Sequence, residues 1–201
     1  MATVEESKYQ APYDVPAPAE ERPEQPASAV VREIVETLLL TLFIFWIVNS
    51  ATGRYRVEGH SMMPSLKEGE YLIVNKLSYY LDEPQRGDII VLHFPRDRER
   101  EYIKRIIGIP GDHIEIGNGQ VKVNGVVLQE PYINGVATYR QGTWIVPADQ
   151  FFVMGDNRNN SSDSRAWSFL PRSDVVGKAW LIYWGVEDWG LVPHYPLARG
   201  S

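Results

Sequence analysis

Between Glu36 and Arg54 the chain runs for 17 residues without a charge, and from Leu38 to Val48 it is apolar except at Thr41. A helix needs roughly 17–25 such residues to cross a bilayer, so this stretch reaches the lower limit. Two other readings fit a run of this length. One is a buried core helix. The other is a cleaved signal peptide, with Ser50 and Ala51 as small residues near a cut. Against cleavage, the run is preceded by Glu33 and Glu36 and by an acidic segment, where a signal peptide has a basic start. We read residues 30–53 as one transmembrane helix. Its orientation is weakly marked. Lys8, Arg22 and Arg32 precede it, and Arg54, Arg56 and Lys67 follow it, so the excess of positive charge on one flank is small.

The sequence differs in kind on either side. Residues 1–29 hold Pro12, Pro16, Pro18, Pro23 and Pro26 among Glu and Ala. They offer too little apolar surface to offset the entropy of ordering, and we expect a disordered tail. From residue 54 to 201 short alternating runs take over: EYLIVNKL, GDIIVLHF, REYIKRIIGI, HIEI, QVKVNGVVL, QFFVMG and GKAWLIYW. Gly, Pro, Asn and Asp separate them. Asn118-Gly119 and Asn124-Gly125 are hairpin turn signals. Many short strands with such punctuation predict an all-β barrel or sandwich. No long helical pattern appears after residue 53.

Composition narrows the chemistry. The net charge is -6, which gives no reason to expect nucleic acid as a partner. There is no cysteine. That removes disulfides, a thiol nucleophile and thiolate-ligated zinc. The histidines, at 60, 93, 113 and 194, show no metal-ligand spacing. Neither a metal nor a cofactor is expected.

Three stretches invite a chemical reading. The first is GHSMMPSL, residues 59–66, where Ser61 stands beside a methionine pair. A serine hydroxyl is a weak nucleophile and needs a base within hydrogen-bond reach. His93 or His113 could approach it in three dimensions; His60, adjacent on an extended segment, would point the other way. The second stretch, YIKRIIGIPGD, offers Lys104 among isoleucines. Buried there, a lysine loses its preference for the charged form, and a neutral amine is a competent base. Reaching solvent by its long stem is the bland alternative. The third, MGDNRNNSSDSRAW, packs Asp156, Arg158, Asp163 and Arg165 among Asn and Ser. It reads either as a surface loop closed by ion pairs or as a polar scaffold that orients a base.

Taken in order after an N-terminal apolar helix, SMMPSL, RGDIIV, YIKRIIGIPGD and GDNRNNSSDSR resemble the bacterial type I signal peptidases, over roughly residues 30–185. The resemblance implies a membrane-anchored Ser/Lys endopeptidase. It would remove N-terminal signal peptides from exported preproteins after small residues, in the pattern Ala-x-Ala. By match to the family's motifs, Ser61 is the nucleophile and Lys104 the general base. Ser161 would hydrogen-bond the lysine amine, and Asp163 and Arg165 would brace that corner. Val57, Met62, Leu66, Tyr102 and Ile103 would line the pockets for small substrate side chains. The implied fold is mainly β: a coiled antiparallel barrel or sheet carrying the dyad, with a smaller lobe over about residues 113–150. The implied partners are preprotein signal peptides and the lipid bilayer, with the secretion translocon only as a functional neighbour. The catalytic domain would lie on the extracytoplasmic side of the cell membrane or of an internal photosynthetic membrane.

One position departs from many relatives. Where some carry a serine that completes the oxyanion hole, two residues before the nucleophile, this chain has Gly59. The Ser61 N–H should still serve, and the second donor is left open. Two rival readings remain. One is a self-cleaving Ser/Lys protein like the SOS-response repressors, which carry a DNA-binding helical domain; the tail and apolar run read before residue 54 argue against it. The other is a membrane-tethered β scaffold without catalysis.

Overall fold

A computed structural model describes residues 27–134, 141–184 and 189–197. Most of the expected tail, residues 1–26, lies outside the described residues. Helix α1 spans Ala27–Ala51, so it starts three residues before, and ends two before, the span read from the sequence. It is about 37 Å long at 1.5 Å per residue. Its most apolar window has a mean hydropathy of 1.9, and none of its residues is buried. By length and composition it can cross a membrane.

The β-rich body begins at once. β1 (Thr52–Arg56) is followed by the Ser61 turn, β2 (Tyr71–Asn75), a short helix α2 (Ser78–Leu81), β3 (Ile89–Phe94) and the long β4 (Asp97–Gly108). β5 (His113–Gly117), β6 (Gln120–Val123), β7 (Val126–Val127) and β8 (Gly142–Ile145) come next. The chain ends through β9 (Gln150–Met154), α3 (Ser164–Trp167), β10 (Leu170–Pro171), β11 (Val175–Trp184) and β12 (Gly190–Leu191).

The strands form two antiparallel sheets. The larger has eight strands in the order β1-β2-β11-β3-β4-β9-β10, with β12 added to β11. The smaller has four, in the order β7-β6-β5-β8. Its hairpins form where the turn chemistry requires. Asn118 and Gly119 both take positive φ, 51° and 74°, between Gly117 and its partner Gln120. Asn124 and Gly125 do the same at 53° and 80°. Positive φ at both central residues is the type I′ geometry that Asn-Gly favours.

Burial follows the strand period. In β5 and β6, Ile114, Ile116, Val121 and Val123 face inward with Phe152 and Met154 of β9. A second cluster joins Val57, Met62 and Leu66 to Leu72, Ile89 and Ala179. A third lies on the other face of β3 and β4, around Ile90, Leu92, Ile106 and Val153. β4 therefore has apolar packing on both faces, which decides the fate of any charge it carries.

Candidate active site

Lys104 opens the stretch of β4, residues 104–108, that is buried on both faces. It pairs with Ile90 in register and keeps only 3% of its surface. Its Nζ lies 2.8 Å from Ser61 Oγ and 2.7 Å from the Ile103 carbonyl oxygen. Among the described residues no carboxylate is a hydrogen-bond partner of this amine. Burial is the largest influence and lowers its pKa to about 8 from 10.5. The carboxylates of Asp163 and Asp156 act in the opposite direction but do not overcome it.

Ser61 is presented by a turn that opens on Gly59, whose φ is +78°. The Met63 amide closes the turn on the His60 carbonyl at 3.2 Å. A second segment grips it from outside: the Asn157 amide donates to the Ser61 carbonyl at 3.0 Å, and the Asn157 side-chain amide to the His60 carbonyl at 3.0 Å. The Ser61 N–H makes no hydrogen bond among the described residues. It is available to a developing oxyanion.

The polar loop after β9 is held rigid by buried ion pairs. Arg165 grips Asp163 with two bonds, Nε–Oδ1 at 2.7 Å and Nη2–Oδ2 at 2.6 Å. Asp163 also caps α3 and accepts from the Gly155 amide at 3.1 Å. Arg105, one residue after Lys104, makes a bidentate pair with Asp156, at 2.8 and 2.7 Å, and both side chains are wholly buried. Arg158 pairs with Glu130, which ties the loop to the segment that follows β7 in the small sheet.

Ser61 and Lys104 open into a cleft of about 520 Å³. Val57, Met62, Tyr102 and Ile103, four of the five residues that the resemblance assigned to the substrate pockets, line it. Leu66 does not. It is fully buried in the cluster behind Val57 and Met62 and supports the wall from within. Ser161 also differs from expectation: its hydroxyl is buried beside the Gly155 backbone and has no hydrogen-bond partner, rather than bonding Lys104. Tyr55, Glu58, Val91, Glu101 and Ser162 are also among the lining residues and were not singled out in the sequence. Two strand edges border this cleft. β1 is the end of its sheet, and β4 pairs with β9 only from Arg105 onward, so residues 101–104 have a strand partner on the β3 side alone.

The rings of His60, His93 and His113 face glutamates. His60 Nε2 is 3.4 Å from Glu68, His93 Nδ1 is 4.0 Å from Glu101, and His113 Nδ1 is 3.4 Å from Glu115. None bonds Ser61. Among the described residues no group of three or more His, Asp or Glu could hold a metal ion.

Residues 30–184 match the family described as signal peptidase, peptidase S26. The chain is 38% identical to the signal peptidase I of Leptolyngbya laminosa over 188 residues, covering 90% of this chain and 91% of that one. It is 41% identical to the signal peptidase I of Bacillus caldolyticus over 76% of this chain and 86% of the other. Signal peptidase IB of Staphylococcus aureus matches at 31% over 77% and 90%.

Proposed function

The chain belongs to the signal peptidase family, peptidase S26, and on that premise we propose that it is a Ser/Lys endopeptidase cutting preproteins after an Ala-x-Ala signal. The observation that carries the reading is the contact between Lys104 Nζ and Ser61 Oγ, 2.8 Å apart in a site where burial favours the neutral amine.

The neutral Lys104 takes the Ser61 proton as Oγ bonds to the scissile carbonyl carbon. The carbonyl oxygen becomes an oxyanion held by the Ser61 N–H. Its collapse breaks the peptide bond, and Lys104 returns the proton to the leaving amine. Water then adds to the acyl ester, giving a proton to Lys104, and the second collapse breaks the ester bond as Lys104 passes that proton to the Ser61 oxygen, which leaves the serine free and the amine neutral again. The substrate lies extended between the edges of β1 and β4 as an added strand, with its small side chains against Val57, Met62 and Ile103. Asp163 and Arg165 hold the loop in place, and Ser161 stands near the dyad without bonding it.

Helix α1 anchors the enzyme in a bilayer, since its apolar surface is exposed along its length. Residues 54–201 then face the extracytoplasmic side, where signal peptides emerge, with the translocon as a neighbour. The reading is tested by incubating the protein with a preprotein bearing Ala-x-Ala and sequencing the new N-terminus. A cut after the second Ala supports it; no cut, together with no labelling of Ser61 by a serine-reactive probe, leaves the non-catalytic scaffold.

A further inference from the structure

The C-terminal segment, residues 189–197, is strapped across the body. β12 hangs on β11, and the Val192 amide donates to the Trp180 carbonyl at 3.0 Å. Leu197, further along the strap, packs in the core cluster of the small sheet. On the way the strap passes so close to Gly87 that a Cβ there would meet the Tyr195 carbonyl oxygen at 1.7 Å.

His194 sits midway. Its Nδ1 accepts from the Ile89 amide at 3.1 Å, and its Nε2 faces the Ala179 carbonyl oxygen at 2.8 Å. A ring nitrogen that accepts from an amide carries no proton, so Nε2 is the donor and the ring is neutral. One imidazole thus ties the strap to β3 and to β11. A second proton has nowhere to go without breaking the bond to Ile89. Asp88 Oδ1 is 3.8 Å from Nδ1, but that carboxylate already accepts from Lys178 Nζ at 2.6 Å, Tyr79 Oη at 3.0 Å and the Gln85 amide at 3.1 Å. Burial first, and then the positive charge of Lys178, hold the ring below its ordinary value. Arg105 adds to this, and the Ala179 bond and Asp88 oppose it.

The residues flanking His194 cover Arg105. The Pro193 carbonyl accepts from Arg105 Nη1 at 3.2 Å, and the Tyr195 ring centre lies 5.4 Å from the guanidinium. Arg105 follows Lys104 in the chain. Its partner Asp156 precedes Asn157, whose amide holds the Ser61 carbonyl. The strap is therefore the outer cover of the ion pair that joins the two halves of the dyad.

We propose that His194 is a positioning residue that works as a proton-operated latch: its neutral ring fastens the C-terminal strap over Arg105, and protonation releases the strap and slackens the dyad. Released, the strap admits water to Arg105 and to the ground beneath Lys104, whose readiness to lose a proton depends on burial. The inference rests on the dyad reading only for its kinetic assay.

The decisive measurement is the pH profile of kcat/KM. If Lys104 alone titrates, the logarithm falls toward acid with a slope of one. The latch adds a second proton, so the slope steepens to two at a pH lower than the ordinary histidine value of about 6.5, because burial and Lys178 hold the ring below it. His194→Gln can still accept from Ile89 and donate to Ala179 but cannot titrate. It should work like the wild type at pH 8 and keep a slope of one throughout. His194→Ala should be slower at every pH. Hydrogen exchange gives the independent readout. Protection of the Ile89 and Val192 amides, corrected for intrinsic rate, should drop in the wild type as the pH falls from 7 into the range of the steeper limb and stay flat in His194→Gln. Equal slopes in the two proteins, or protection that ignores pH in both, would overturn the latch. Failure of the dyad reading looks different: the first limb disappears from both proteins while the difference in exchange remains.

Discussion

Gly155 leaves no room for a side chain beside Ser61: a Cβ built on it would lie 2.4 Å from the Ser61 carbonyl oxygen and 2.3 Å from the Ser161 hydroxyl. The first of these neighbours is backbone and cannot swing away. Gly155 is also held at both ends, its amide by Asp163 at 3.1 Å and its carbonyl by Arg158 Nε at 3.1 Å. Ser61 must therefore be the part that moves when a methyl group is added. Displacing a reacting group by about 1 Å costs about a hundredfold in rate. Gly155→Ala should show that loss in kcat with KM little changed, while the melting temperature falls only modestly. A kcat near that of the wild type would mean that the turn can slide without cost to the chemistry.

Ser61→Ala and Lys104→Ala should each abolish cleavage with the fold retained. The two act as one unit, so the double variant should be no worse than either single variant. A double variant far below both would show two independent contributions. The same lysine carries a stability cost. Its folded pKa, about 8, lies below the ordinary 10.5, so the unfolded chain binds more protons between those values and stability rises with pH across that window. At pH 7 the penalty is fully present, about 3 kcal/mol at 1.36 kcal/mol per unit. Lys104→Met should be more stable than the wild type by up to that amount at pH 7, with the advantage fading toward pH 10.5. Urea unfolding at several pH values would show it.

The wall of the cleft should set substrate preference. Met62 and Val57 are buried at 2% and 3% exposure, and Leu66 fills the space behind them. The wall cannot retreat without opening a cavity or forcing strain. Peptides with Leu in place of Ala one residue before the bond should hardly be cut. Ile103→Ala should relax that preference, because Ile103 packs against the same cluster. Equal rates for Ala and Leu in the unaltered enzyme would remove this assignment.

No histidine should be needed for the chemistry. His93→Gln and His113→Gln should keep most activity at pH 8, since both side chains face glutamates rather than Ser61. A loss of several orders of magnitude in either variant, with the fold intact, would restore a Ser-His mechanism.

How much of this was legible in the sequence depended on whether the information was local. Asn118-Gly119 and Asn124-Gly125 announced their hairpins because the turn requires positive φ at those residues. The isoleucines around Lys104 announced a buried strand, and burial decides its protonation. Residues that depend on distant partners were less legible. Arg105 and Asp156 are far apart in the chain, and paired charges buried at 0% exposure look like surface charges in a sequence. β10 and β12, of two residues each, carry no period to detect. Leu66 and Ser161 were placed by resemblance alone. The packing moved Leu66 one layer behind the cleft wall and left the Ser161 hydroxyl unbonded. Gly155 was visible as a letter, but its need to be glycine appears only when the loop meets the Ser61 turn.

The last prediction joins charge to rate. Lys104 accepts the Ser61 proton only when neutral, so kcat/KM should rise with pH and level off above about 8, where burial places its pKa. Asp163 and Asp156 both favour the ammonium, yet each is matched by a guanidinium, Arg165 for the first and Arg105 for the second. Removing the charge at 165 unbalances the first pair. In Arg165→Gln the Asp163 carboxylate loses its two bonds from Nε and Nη2 and stabilises the protonated amine more strongly. The limb should move to higher pH, and activity at pH 7 should fall while the plateau at high pH is largely kept. A purely structural role for Arg165 predicts the opposite pattern, an equal loss at every pH. Direct NMR observation of the Lys104 amine settles which group titrates. A pKa near 10 in the folded enzyme with a substrate analogue bound would show that the limb belongs to another group and that Lys104 is not the base.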